Sequence, residues 1–117
     1  MINYYDIYQP MKWKTIDTTE DFQHAISNSF QQTIAIFKHS TRCSISFVAK
    51  KTIERFWAFN NDIYYTDLIQ NRNISNLLAS ELNVKHESPQ IIVIKNGKAV
   101  YHAAHGMIDI QEISEYL

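Results

Sequence analysis

Apolar residues recur along this chain with two different periods, and the switches between them divide it into elements. Phe22, Ala25 and Ile26, with Ser29, stand at helical spacing behind Thr18 and Thr19. Either threonine suits a helix start, and Asp21, three residues beyond Thr18, adds the pattern of a capping box, so a first helix is predicted over 19–29. Thr33 to Lys38 alternates briefly and is rich in Ile and Phe, as a buried strand would be, and it leads into the polar loop His39-Ser40-Thr41-Arg42. From Ile45 onward Val48, Ala49, Thr52, Ile53 and Phe56 return every three or four residues, which predicts a helix over 43–58 and puts Cys43 at its N-terminus. Asp62 to Thr66 reads as a second strand. Ile74, Leu77, Leu78 and Leu82 then mark a third helix behind a cap at Asn71 or Asn73. Gln90 to Lys95, following Pro89, and Lys98 to His102 flank Asn96-Gly97, a pair that tolerates positive φ and so predicts a two-residue antiparallel hairpin. Asp109 to Leu117 closes the pattern as a short helix with Ile110, Ile113 and Leu117 on one face.

The early strands are thus joined through helices and the late ones by a tight turn. That order predicts an α/β fold with a mixed central sheet and helices on both faces. Only two Gly and two Pro occur, with no repeat or low-complexity stretch, so residues 1–117 read as one domain. Residues 1–14 form an N-terminal extension whose Tyr4, Tyr5 and Tyr8 would pack back on the domain or meet a partner. A chain of this length buries roughly 65% of the surface its unfolded form exposes, so it needs no disulfide to fold. Eleven Lys and Arg are scattered among twelve Asp and Glu, which leaves no basic stripe for a nucleic-acid backbone. No apolar run exceeds four residues, and the start has neither a basic flank nor an apolar signal core, so a cytoplasmic protein with no membrane segment is expected.

A single cysteine cannot form an internal disulfide, in keeping with a reducing compartment. Free cysteines are more often buried and inert than reactive, but a helix start reverses that expectation for Cys43. Its unpaired N–H groups and partial positive charge favour thiolate, and Arg42 and His39 would add to them. Such a sulfur is a good leaving group as well as a nucleophile. Ser46 stands where a dithiol protein would carry a resolving cysteine; it is either an ordinary first-turn residue or a hydroxyl donor to the Cys43 thiolate. Pro89 is either a trans proline at a strand entrance or a cis proline facing Cys43. Five histidines raise a metal question, yet only His102 and His105 lie close in sequence and no HExxH or CxxC pattern occurs, so no metal is expected. Trp13, Trp57, Phe56 and Phe59 read as core or lid residues rather than a cofactor box.

A strand, a loop carrying Cys at a helix start, and a proline opening a hairpin resemble the thioredoxin arrangement, and Gly106 fits the glycine after that hairpin. More specifically, Thr41-Arg42-Cys43-Ser44-Ile45-Ser46 together with His86-Glu87-Ser88-Pro89-Gln90 resembles the YtxJ family of monothiol bacilliredoxins, as does Arg72-Asn73-Ile74-Ser75. The likeness spans residues 15–117, with Ser44 where the family usually has Pro. It implies a thioredoxin-like fold and a monothiol oxidoreductase that removes bacillithiol from mixed disulfides with client proteins. Cys43 would be the catalytic residue, supported by Thr41, Arg42 and Ser46, with Ser88 and Pro89 binding the substrate. Bacillithiol would be a co-substrate, no cofactor being tightly bound. The competing reading is a thioredoxin-like adaptor module that grips a partner without turnover.

Overall fold

A computed structural model describes residues 11–117; Tyr4, Tyr5 and Tyr8 lie outside the described residues. In chain order the elements are β1 (Trp13–Thr15), α1 (Thr19–Asn28), β2 (Ile34–His39), α2 (Ser44–Phe56), β3 (Ile63–Asp67), α3 (Arg72–Leu82), β4 (Gln90–Lys95), β5 (Lys98–Ala104), a single 3-10 turn (His105–Met107) and α4 (Ile110–Ser114). The sheet runs in the order β1-β3-β2-β4-β5. β1, β3 and β2 are parallel, while β4 is antiparallel to both β2 and β5.

β2 is buried along its whole length, as a central strand covered on both faces must be. Its alternate residues serve two cores. Ile34 and Ile36 pack with Phe22 and Ala25 of α1 and Ile74 and Leu78 of α3. Ala35 and Phe37 point the other way, toward Ile53 of α2 and Ile113 of α4. The expected mixed sheet with helices on both faces is therefore present.

Local chemistry sets most of the ends. The Thr18 hydroxyl accepts from the Asp21 N–H at 3.1 Å and the Asp21 carboxylate accepts from the Thr18 N–H at 3.2 Å, completing the capping box of α1. Asn96 and Gly97 adopt φ of 51° and 77°. The positive φ is what favours glycine at Gly97; a Cβ there would also stand 3.0 Å from the exposed Phe30 ring, which would have to give slightly.

Several boundaries differ from the sequence pattern; the last helix, expected to reach Leu117, ends at Ser114. β1 is a strand within what reads as an extension; at three residues it is too short to show a period, and it pairs with β3 at the sheet edge. β2 includes His39, which is buried rather than part of the loop. α2 stops at Phe56 because Trp57 turns to extended backbone, where its indole donates to the Asn61 carbonyl at 3.3 Å and meets Phe59 edge-on. β5 continues to Ala104. Among the described residues no helix is long and apolar enough to cross a membrane.

Candidate active site

Cys43 is half-buried and occupies the N-cap of α2, with no side-chain capping bond. Its N–H donates to the Ser40 carbonyl at 3.1 Å and its carbonyl accepts from the Phe47 N–H at 3.1 Å, so the loop and the first turn of α2 hold it from both sides. N–H groups in a first helical turn have no intrahelical acceptor, and they present a partial positive charge to whatever sits at the cap. Thr41 and Arg42 are exposed on the same loop.

Ser46 is fully buried. Its hydroxyl oxygen accepts from the Ser40 N–H at 2.9 Å and lies 2.8 Å from His39 Nδ1. Ser46 therefore ties the loop to the helix; the hydroxyl donation to Cys43 considered from the sequence is not the bond it makes. His39 also departs from expectation. Burial, followed by the Lys50 charge, holds its imidazole below the ordinary histidine value, with Asp67 and Glu54 opposing. At neutral pH it adds no cation to the site.

The second half of the site comes from β4. The Ser88–Pro89 peptide bond is cis and Pro89 is buried. Because Lys38 pairs with Gln90 across the β2–β4 ladder, Pro89 and Ser88 continue alongside His39 and Ser40, at the sheet end that carries Cys43. The His105 N–H donates to the Pro89 carbonyl at 3.0 Å, joining the end of β5 to this corner. His105 has a φ of 55°, a left-handed conformation that costs a non-glycine residue about 1–2 kcal/mol. The Ser88 hydroxyl is buried without a hydrogen-bond partner among the described residues.

Two depressions flank this corner. One, of about 340 Å³, is formed by Ser44, Ile45, Val48 and Thr52 of α2 with His105 and Gly106. Ile45 and Val48 are 58% and 63% exposed there, a large apolar display beside a half-buried sulfur. Gly106 has a negative φ and no heavy atom within 4 Å of where a Cβ would be, so the fold itself does not demand glycine. The other, of about 290 Å³, is formed by Ser40, Arg72, Ser75, Asn76, His86 and Ser88, with Leu68 and Ile69 at its edge.

Lys38 is the residue that sequence reasoning passed over. It is fully buried, and its ammonium donates to Gln90 Oε1 at 3.1 Å. Burial pushes its pKa down to about 8, with Glu87 opposing. The signal was present: strand periodicity puts Lys38 on the face of Ile34 and Ile36, where an unpaired cation is costly.

Comparison with solved structures defines the class as a thioredoxin fold. The chain superposes on a protein described as a candidate oxidoreductase with a thioredoxin fold, with a TM-score of 0.79, 29% identity and coverage of 97% of this chain and 98% of the other. Thioredoxins from Malassezia sympodialis (TM-score 0.71, 14% identity, 91% and 89% covered) and Nicotiana alata (0.69, 18%, 92% and 90%) share the fold. The family model of the monothiol bacilliredoxin BrxC matches residues 14–113, and the chain belongs to that family.

Proposed function

We propose that this chain is a monothiol thiol–disulfide oxidoreductase of a reducing cytoplasm that strips bacillithiol from mixed disulfides on client proteins. The observation that carries this reading is the lone Cys43 at the start of α2, at the same sheet end as the cis Ser88–Pro89 bond, in a bacilliredoxin chain. In the first step the Cys43 thiolate attacks the bacillithiol sulfur in line with the disulfide. The Cys43–bacillithiol S–S bond forms as the client S–S bond breaks, and the client cysteine leaves as thiolate and takes a proton from water. In the second step a free bacillithiol thiolate attacks the sulfur held on Cys43. Bacillithiol disulfide departs and Cys43 thiolate returns, so electrons balance with the small thiol as reductant. The first-turn N–H groups at the α2 start, with Arg42 and Thr41 on the same loop, stand at the cap that carries the sulfur. The Ser88 backbone beside Pro89 pairs with an extended client segment as an added strand would. Ser46 acts as a positioning residue by fixing the loop that carries Cys43.

Multiple turnover tests this scheme. A client loaded with bacillithiol is mixed with catalytic wild type or Cys43→Ser, with and without added bacillithiol. The expected result is repeated client release only with wild type plus thiol. Equal release by Cys43→Ser would eliminate the monothiol scheme and favour an adaptor that binds without exchange.

A further inference from the structure

The cavity on the α3 side of Cys43 is chemically unlike the rest of the site. Arg72, Ser75, Asn76, His86 and Ser88 all reach it, and Ser40, whose carbonyl holds the Cys43 N–H, forms its near wall. Three basic groups gather here. Arg72 is exposed at the first position of α3, His86 is bonded to the Ser75 hydroxyl at 3.1 Å, and Lys38 is buried close by on β2. After burial, the Lys38 and Arg72 charges are what hold His86 below the usual histidine range, so the three share one electrostatic environment.

Among the described residues, few carboxylates answer them. Glu87 is the carboxylate that acts on both Lys38 and His86, and it lies outside the cavity wall. Asp67, at the end of β3, already accepts from the Ile69 N–H at 2.9 Å. The first turn of α3 contains no acidic residue, and the Asn71 side chain at its cap is turned away to Asp17 at 3.0 Å. The Ser88 hydroxyl, buried and unpartnered, belongs to the same wall. A cavity lined by the exposed Arg72 guanidinium, with an unsatisfied hydroxyl in its wall and an uncapped helix start beside it, is complementary to an anion.

We propose that this cavity binds the carboxylate or phosphate end of the small thiol that passes through Cys43, with Arg72 as the charged donor and Ser88 as a hydroxyl donor. The proposal rests on the exchange chemistry assigned above and adds the substrate class: anionic low-molecular-weight thiols are taken in preference to neutral ones.

The test follows adduct formation on Cys43 by intact mass with three disulfides of different charge: glutathione disulfide, neutral 2-hydroxyethyl disulfide and cationic cystamine. Bacillithiol disulfide and coenzyme A disulfide run alongside to distinguish carboxylate from phosphate. Wild type should react faster with an anionic disulfide than with either of the others, after correction for their intrinsic rates with a free thiol. Arg72→Gln should slow the anionic probe about tenfold, the loss expected for one charge-assisted contact, and leave the neutral probe within about twofold. Lys95→Gln, which removes a charge at the far end of β4, should change neither. Equal slowing of all probes by Arg72→Gln, the same effect from Lys95→Gln, or no preference for anions would overturn the cavity assignment and leave the Cys43 chemistry standing. Absence of any Cys43 adduct would instead overturn the exchange reading beneath it.

Discussion

On one side of Cys43 a groove of about 340 Å³ is walled by Ile45, Val48 and Gly106; on the other a cavity of about 290 Å³ is walled by Arg72, Ser75, His86 and Ser88. Their sizes are similar and their chemistry is opposed. Apolar contact is non-directional and tolerates many partners, which suits a surface that must meet different client proteins. Directed donors and positive charge suit one constant ligand. The monothiol scheme needs both, because each mixed disulfide has a protein half and a small-thiol half. In the proposed scheme the two halves meet at the Cys43 sulfur.

The comparison breaks most visibly on the apolar side. Gly106→Val would put a branched side chain at the groove wall, where no heavy atom lies within 4 Å of the Cβ position. We expect roughly a tenfold loss in the rate of reaction with a thiolated protein, equivalent to about 1.4 kcal/mol, and little change with 2-hydroxyethyl disulfide. Stopped-flow rates with the two substrates check this; equal losses would mean that the groove does not sort protein from small-molecule substrates.

The second prediction concerns the contact that ties the Cys43 loop to α2. Ser46→Ala removes a fully buried hydroxyl and leaves the Ser40 N–H and His39 Nδ1 unpaired. Denaturant unfolding should show about 1–3 kcal/mol of lost stability. Ser46→Thr, which retains a hydroxyl, should recover part of it. If Ser46→Ala unfolds like wild type, the loop is held by something other than this pair of bonds.

A smaller effect sharpens the polar side. Lys38 titrates near pH 8 in the folded protein and near its ordinary value when unfolded. Between those limits the unfolded chain binds more protons, so stability is lowest below about pH 8 and rises as pH climbs toward about 10.4. After allowance for solvent screening the gain is about 1–2 kcal/mol. Lys38→Met should remove this rise. Parallel denaturation curves at successive pH values measure it, and an unchanged slope in the variant would show that Lys38 is not the group responsible.

Much of this is legible in the sequence. Three-and-four periodicity found α1, α2 and α3 because each buries one stripe against the sheet, and Asn96-Gly97 specified its turn because few other pairs accept positive φ at both positions. Cys43 and Pro89 were legible because their chemistry is local: a thiol at a helix cap and a proline opening a strand. β1 was not, since its three residues are defined by pairing with β3, a contact remote in sequence. The polar cavity was hidden for the same reason. Arg72, His86 and Ser88 come from separate segments, and Lys38 reads as the polar end of a strand until Gln90 and Thr66 are seen beside it. His39 and Ser46 show the limit most clearly. Seven residues apart, they read as a cation and as either an ordinary first-turn residue or a donor for the sulfur, whereas folding pairs them with each other and with the loop.

The most direct test of the central claim is a single-turnover mass balance on Cys43. A client protein carrying one bacillithiol is mixed with a slight excess of fully reduced protein, with no other thiol present, and both chains are followed by intact mass. The account predicts that each client thiol released is matched by one bacillithiol adduct on this chain, located at Cys43 by peptide mapping and persistent until free thiol is added. Client release without a matching adduct, or an adduct anywhere other than Cys43, would contradict it.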